Sequence, residues 1–135
     1  MNPHQQYRRT SSWGWTRIDM LIHIYNHTIN SLINGAEVLE GESTESQIIA
    51  ARADAQKKIL LIADGLAVDQ GGTAVNVMQL CVFALEQIQT DSAEAWRSSA
   101  RVLSTVREGF LEVQDVVREQ EQAGKLPALQ HEIVS

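Results

Sequence analysis

Proline is nearly missing from this chain: Pro3 and Pro127 are the only two, both close to the ends. The long interval between them suits long helices, because proline removes an amide donor and clashes with the preceding turn. Cysteine occurs once, as Cys81 inside an apolar run, which excludes a disulfide framework and points to a buried thiol. No run of about 18 uncharged apolar residues is present, so no segment reads as a membrane span. The opening MNPHQQYRRTSS has no apolar stretch of the kind a secretion signal carries, and the expected location is the cytoplasm. The net charge is −6 and basic residues do not cluster, so the dense positive face that nucleic acid demands is lacking.

Of the 135 residues, 44% are hydrophobic, enough for one globular domain that buries about two-thirds of the surface its unfolded chain exposes. Residues 1–15 show no periodicity and read as an arm or short capping helix. A first helix is predicted from Thr16, with Asp19 as its capping partner, through an apolar line of Ile18, Leu21, Ile22, Tyr25, Ile29, Leu32, Ile33 and Ala36. Glu40-Gly41 ends it, the glycine being suited to a left-handed cap. A second helix spans about 44–67 on Ile48, Ala55, Ile59, Ile62 and Leu66, and Gly71-Gly72 closes a turn. A third, about 73–89, carries Ala74, Val77, Met78, Cys81, Leu85 and Ile88. A fourth, about 92–122, follows a break with Asp91 and Glu94 as a capping pair and carries Trp96, Ala100, Leu103, Val106, Phe110, Val113 and Val117. Residues 123–135 read as a tail. No segment alternates with period two, so the fold class is all-α, an antiparallel four-helix bundle over residues 16–122.

One pattern exceeds what a plain bundle requires. The third helix is apolar around most of its circumference: Val75, Leu80 and Val82 flank the main line, and Phe83 lies almost opposite it, beside Asn76. Leu60 and Leu61 likewise fall off the line of the second helix. A helix apolar nearly all round is covered on more than one side. Two covers fit: the chain's own arm or a homodimer partner, or a foreign helix in a groove. Tyr7, Trp13 and Trp15 concentrate much apolar area in the arm, each large side chain gaining about 1.5–3 kcal/mol when buried.

Candidate chemistry is sparse. Asp19, His23 and His27 follow one another at four-residue steps, a spacing that can hold a metal, but their face lies away from the apolar line and no Glu-x-x-His pair completes an inward site. The thiol of Cys81 projects into the expected core, where burial raises its pKa. No serine elbow or phosphate loop occurs. No catalytic residue, cofactor or metal is assigned.

Several short motifs, taken in order, resemble one family. Asn2-Pro3-His4-Gln5-Gln6-Tyr7, Leu21-Ile22-His23-Ile24-Tyr25-Asn26, Ala55-Gln56 with Ile59, Ile62 and Leu66, Gly72 with Asn76 to Phe83, and Arg107-Glu108-Gly109-Phe110 are together similar to the flagellar secretion chaperone family FliS. The chain departs from that pattern at His27, Lys58, Cys81 and Val82. The resemblance implies an antiparallel helical bundle in the cytoplasm that binds the C-terminal helices of flagellin, prevents premature polymerisation and hands the subunit to the export apparatus. It further implies an arm whose tyrosine occupies part of the binding surface until cargo displaces it. The expected contact residues are Tyr7, Tyr25, Ile59, Leu60, Ile62, Asn76, Leu80 and Phe83. Two rivals share the fold: a bundle that serves a different exported protein, and a metal-binding bundle using His23 and His27.

Overall fold

The computed structural model describes residues 16–65 and 72–124. Four helices follow in order, α1 (Arg17–Glu40), α2 (Glu45–Gly65), α3 (Gly72–Gln87) and α4 (Ala93–Gln122), and no strand occurs among the described residues. Helices adjacent in sequence pack side by side, and α4 closes the ring against α1 through the most extensive interface of the four. The result is the antiparallel four-helix bundle that the spacing of apolar residues predicts. The arm, with Tyr7, Trp13 and Trp15, the glycine turn and most of the tail lie outside the described residues.

The helix starts are set by local chemistry. At α1 the Thr16 hydroxyl accepts from the Asp19 amide while the Asp19 carboxylate accepts from the Thr16 amide, a reciprocal box that satisfies two donors with no intrahelical partner. Thr44 and Gln47 repeat the arrangement before α2. The cap of α4 differs from expectation. Ser92, rather than Asp91, accepts from the Ala95 amide, and Asp91 instead pairs with Arg52 of α2. Gly41 ends α1 with extended backbone at φ −90°, so the expected left-handed cap is not used there. Gly124, after α4, does adopt a left-handed φ of +76°, where a side chain is strained.

The core holds Tyr25, Ile29, Leu32 and Ala36 of α1, Ala55, Ile59 and Ile62 of α2, Val77, Cys81 and Ala84 of α3, Ile88 just beyond it, and Trp96, Ala100 and Leu103 of α4. Trp96 is wholly buried and its indole N–H donates to the Thr90 carbonyl at 3.0 Å. A Cβ built on Gly35 would stand 2.1 Å from the Trp96 ring, so α1 and α4 approach this closely only because residue 35 lacks a side chain.

Three residues assigned to apolar lines are exposed instead: Ile33, Met78 and Val113. Val113 illustrates the reason. At 30 residues α4 is about 45 Å long and α3, at 16, about 24 Å, so the last turns of α4 run past the start of α3. Its apolar line continues where α3 no longer covers it.

Candidate functional site

The residues expected to contact a guest separate into three groups. Tyr25, Ile59 and Ile62 are core residues, at 1%, 1% and 2% exposure, and offer a guest no area. Tyr25 packs edge-on against Phe110, ring centroids 5.4 Å apart, and the next residue, Asn26, accepts from the Arg107 guanidinium at 3.0 Å. The first-helix motif and the Arg107-to-Phe110 motif thus meet across the α1–α4 interface and hold those helices together. Burial pushes the Tyr25 phenol above its ordinary range, with the Cys81 thiol adding to the shift, and burial raises Cys81 itself to about 11. Neither group is ionised near neutral pH. A thiol so protonated and enclosed is not a nucleophile.

Leu60 is exposed, Asn76 is exposed, and Leu80 and Phe83 are half-buried. They do not share one face. On α2, Asp54 and Lys58 bond Ser31 of α1 and so mark the α1 side, whereas Arg52 donates to the Ile88 carbonyl at 2.6 Å and marks the α3 side. Leu60, eight residues after Arg52, stays on that second side but is turned about 80° further outward. On α3 the core line Val77, Cys81, Ala84 and Ile88 divides the outer surface into two flanks. Helical spacing places Val75, Met78 and Val82 together on one and Asn76, Leu80 and Phe83 on the other. With right-handed helices in this ring order, and α3 antiparallel to α2, the first flank turns toward α2 and the second toward α4.

The seam between α2 and α3 therefore presents an apolar strip that the expected residue set had largely missed. Leu60, Val75, Met78 and Val82 are 44%, 61%, 44% and 48% exposed. The signal was in the sequence for Val75 and Val82, which lie off the main line of α3. Met78 was misplaced by one flank, because a period of 3.6 leaves residues at the rim of the core face ambiguous. Across α3, the second flank carries the half-buried Leu80 and Phe83 with Asn76 beside them. Tyr7 lies outside the described residues.

The polar features of the bundle are clamps between helices. Asp19 is surrounded by the Arg118 guanidinium at 2.7 Å, the Gln114 amide at 2.9 Å and the Thr16 backbone amide at 3.2 Å. Desolvation pushes its carboxyl up, but those hydrogen bonds and the Arg118 charge outweigh it and bring the pKa down to about 2. Glu121, which is buried, accepts from the Arg17 amide at 2.9 Å, a carboxylate on the positive end of α1. Ser31 donates to Asp54 at 2.7 Å and Lys58 reaches Ser31 at 2.6 Å and Asp54 at 3.1 Å. The Ser31 bond comes first among the causes that lower the Asp54 pKa, ahead of Lys58. A serine between an ionised carboxylate and its cationic partner is a polar tie, not an activated nucleophile.

Asp19 faces α4, so it does not join His23 and His27, and no cluster of three His, Cys, Asp or Glu able to hold a metal occurs among the described residues. No helix among the described residues is long and apolar enough to cross a membrane. No protein-family model matches the chain, and searches of curated proteins and of solved structures find nothing similar.

Proposed function

We propose that this chain is a cytoplasmic carrier for an amphipathic helix, and that its cargo is the C-terminal helical region of flagellin, held back from polymerising until it is passed to the export apparatus. The observation that carries the reading is the exposed apolar strip of α3 and α2, Leu60, Val75, Met78 and Val82. An exposed apolar strip of this kind suits a guest helix whose anchors recur every three or four residues. The choice of flagellin rests on the family resemblance of the motifs between Asn2 and Phe110.

Magnitudes constrain how the guest lies. Covering one exposed aliphatic side chain contributes about 1.5–3 kcal/mol, and less where it is already half covered. Four such residues fall short of the roughly 8 kcal/mol of a micromolar complex once the cost of association is subtracted. The guest therefore extends around α3 and also engages Leu80 and Phe83 on the far flank. Asn76 supplies an amide to the guest's polar groups, and the core residues Tyr25, Ile59 and Ile62 support the surface from beneath. An arm carrying Tyr7 that occupies the strip between loads lowers the apparent affinity by the fraction of time the strip is closed, which favours release.

The test is titration of the full chain with a flagellin C-terminal segment, using two double variants. Leu60→Ala with Val82→Ala removes one flank, and Leu80→Ala with Phe83→Ala the other. Each should weaken binding at least about tenfold, a loss of roughly 1.4 kcal/mol, with the helical circular dichroism unchanged. Normal binding by both variants removes the site. Wild-type protein that ignores flagellin but retains another exported helix transfers the carrier role to that cargo.

A further inference from the structure

Most of α3 is built without charge. Although 21% of the chain is charged, residues 70–85 hold no Asp, Glu, Lys, Arg or His. The exposed residues there are Val75, Asn76, Met78, Gln79 and Val82. The neighbouring helices differ: α2 exposes Lys57 and Asp64, and α4 exposes Glu108, Glu112 and Asp115. At 3.6 residues per turn, Gln79 lies about 200° from Val77 and about 160° from Cys81, and so points away from the core line. It stands on the ridge between the two flanks, with Val75 and Val82 to one side and Phe83 to the other. Glu86, two turns further along that ridge, is the first charge met.

We infer that Gln79 is a specificity-determining residue: it admits a guest helix that faces it with uncharged hydrogen-bonding groups and rejects one that sets a charge there. The inference rests on the carrier reading, in which one guest engages both flanks of α3. Such a guest has to cross the ridge, and in doing so it takes the Gln79 amide out of water. A buried amide without partners is destabilising, so the guest must offer it both an acceptor and a donor. Asn, Gln, Ser and Thr side chains do so without bringing a charge. A guest Lys, Arg, Asp or Glu over the same ridge would be desolvated beside Val75, Val82 and Phe83, with only a neutral amide to meet it. Exposed Asn76 extends the same chemistry on the second flank. Selection of this kind works by penalising the wrong partner as much as by attracting the right one.

The experiment titrates the full chain with the flagellin C-terminal segment, comparing wild type with Gln79→Glu, Gln79→Lys and Gln79→Asn. Glu and Lys are good helix formers and the position is exposed, so the variants keep the fold, checked by circular dichroism. Both charged variants should weaken binding by about tenfold or more, whichever the sign, because each buries an unpaired charge. Gln79→Asn should stay within about threefold of wild type, since the amide is retained. Raising the salt concentration from roughly 0.05 to 0.5 M should change the wild-type affinity by less than about threefold, as no ion pair is there to be screened. Tighter binding by one charged variant, a tenfold loss in salt, or wild-type affinity in both charged variants overturns the inference while leaving the carrier reading intact. Wild-type protein that ignores flagellin at every salt concentration overturns the flagellin reading and this inference with it.

Discussion

At one end of the bundle, around the 88–92 turn, the four helices are joined by short connections and close over Trp96. Its indole bonds Thr90, Gly35 lets α1 approach it, and the Arg52 guanidinium lies 5.9 Å from the ring centroid while reaching Ile88 and Asp91. At the other end, where α1 and α3 begin and α2 and α4 end, α4 runs on beyond α3 and stays packed on α1. There polar ties join the two helices beside the buried Ile18 and Ile22: Asp19 to Arg118 and Gln114, and Glu121 to the α1 N-terminus. Val113 and Val116 stand exposed in the same turns. Helices of matched reach exclude water and are held by packing. A helix that outruns its neighbours adds directed hydrogen bonds to a narrower apolar seam, and apolar residues on its other sides are left uncovered. Stability and exposed apolar surface are therefore drawn from different parts of one molecule.

The contrast can be broken most forcefully at the Trp96 end. Trp96→Ala should cost about 3–5 kcal/mol, read by chemical denaturation, because a wholly buried ring leaves a cavity that rigid helices cannot close. Gly35→Ala should cost about 1–3 kcal/mol by forcing the same ring aside. If either were neutral, this end would not be the keystone of the fold. The opposite end should give a smaller loss with a pH signature. Asp19 has a folded pKa of about 2 against an ordinary 3.8, so its contribution is complete above the ordinary value and drains as pH falls through about 2. Asp19→Asn should cost about 2 kcal/mol at neutral pH and flatten the acid limb of the stability curve between pH 4 and 2. Hydrogen exchange should show the extra opening concentrated in the last turns of α4. The smallest effect belongs to the exposed strip. Val75→Gln and Val82→Gln should change stability by no more than about 0.5 kcal/mol. A larger loss in the isolated protein would mean that these valines are already covered by the chain itself.

Much of the architecture was legible in residue order. The near absence of proline, the Thr16–Asp19 box and apolar residues three and four apart located all four helices within a few residues of their observed bounds. The α4 cap was not decidable locally, since Asp91 and Ser92 are both good caps; Arg52, 39 residues away, takes Asp91 and leaves Ser92 to the helix. The pairing of Tyr25 with Phe110 and of Asn26 with Arg107 spans more than 80 residues, and no local period reports it. The same limit applied to the candidate surface. A wheel shows that Leu60, Leu80, Val82 and Phe83 lie off their core lines, but not which neighbour each flank faces.

Residue order alone thus determined that the chain is helical, where its helices begin, and that α3 carries more apolar surface than one core-facing stripe needs, because helix period and capping are properties of a few consecutive residues. Only the tertiary arrangement decided that Tyr25, Ile59 and Ile62 are interior, that Leu60 and Phe83 lie on opposite sides of α3, and that Asp19 turns to α4 while His23 and His27 face water. Those outcomes depend on ring order, helix length and relative direction, which are set by how distant segments exclude water together.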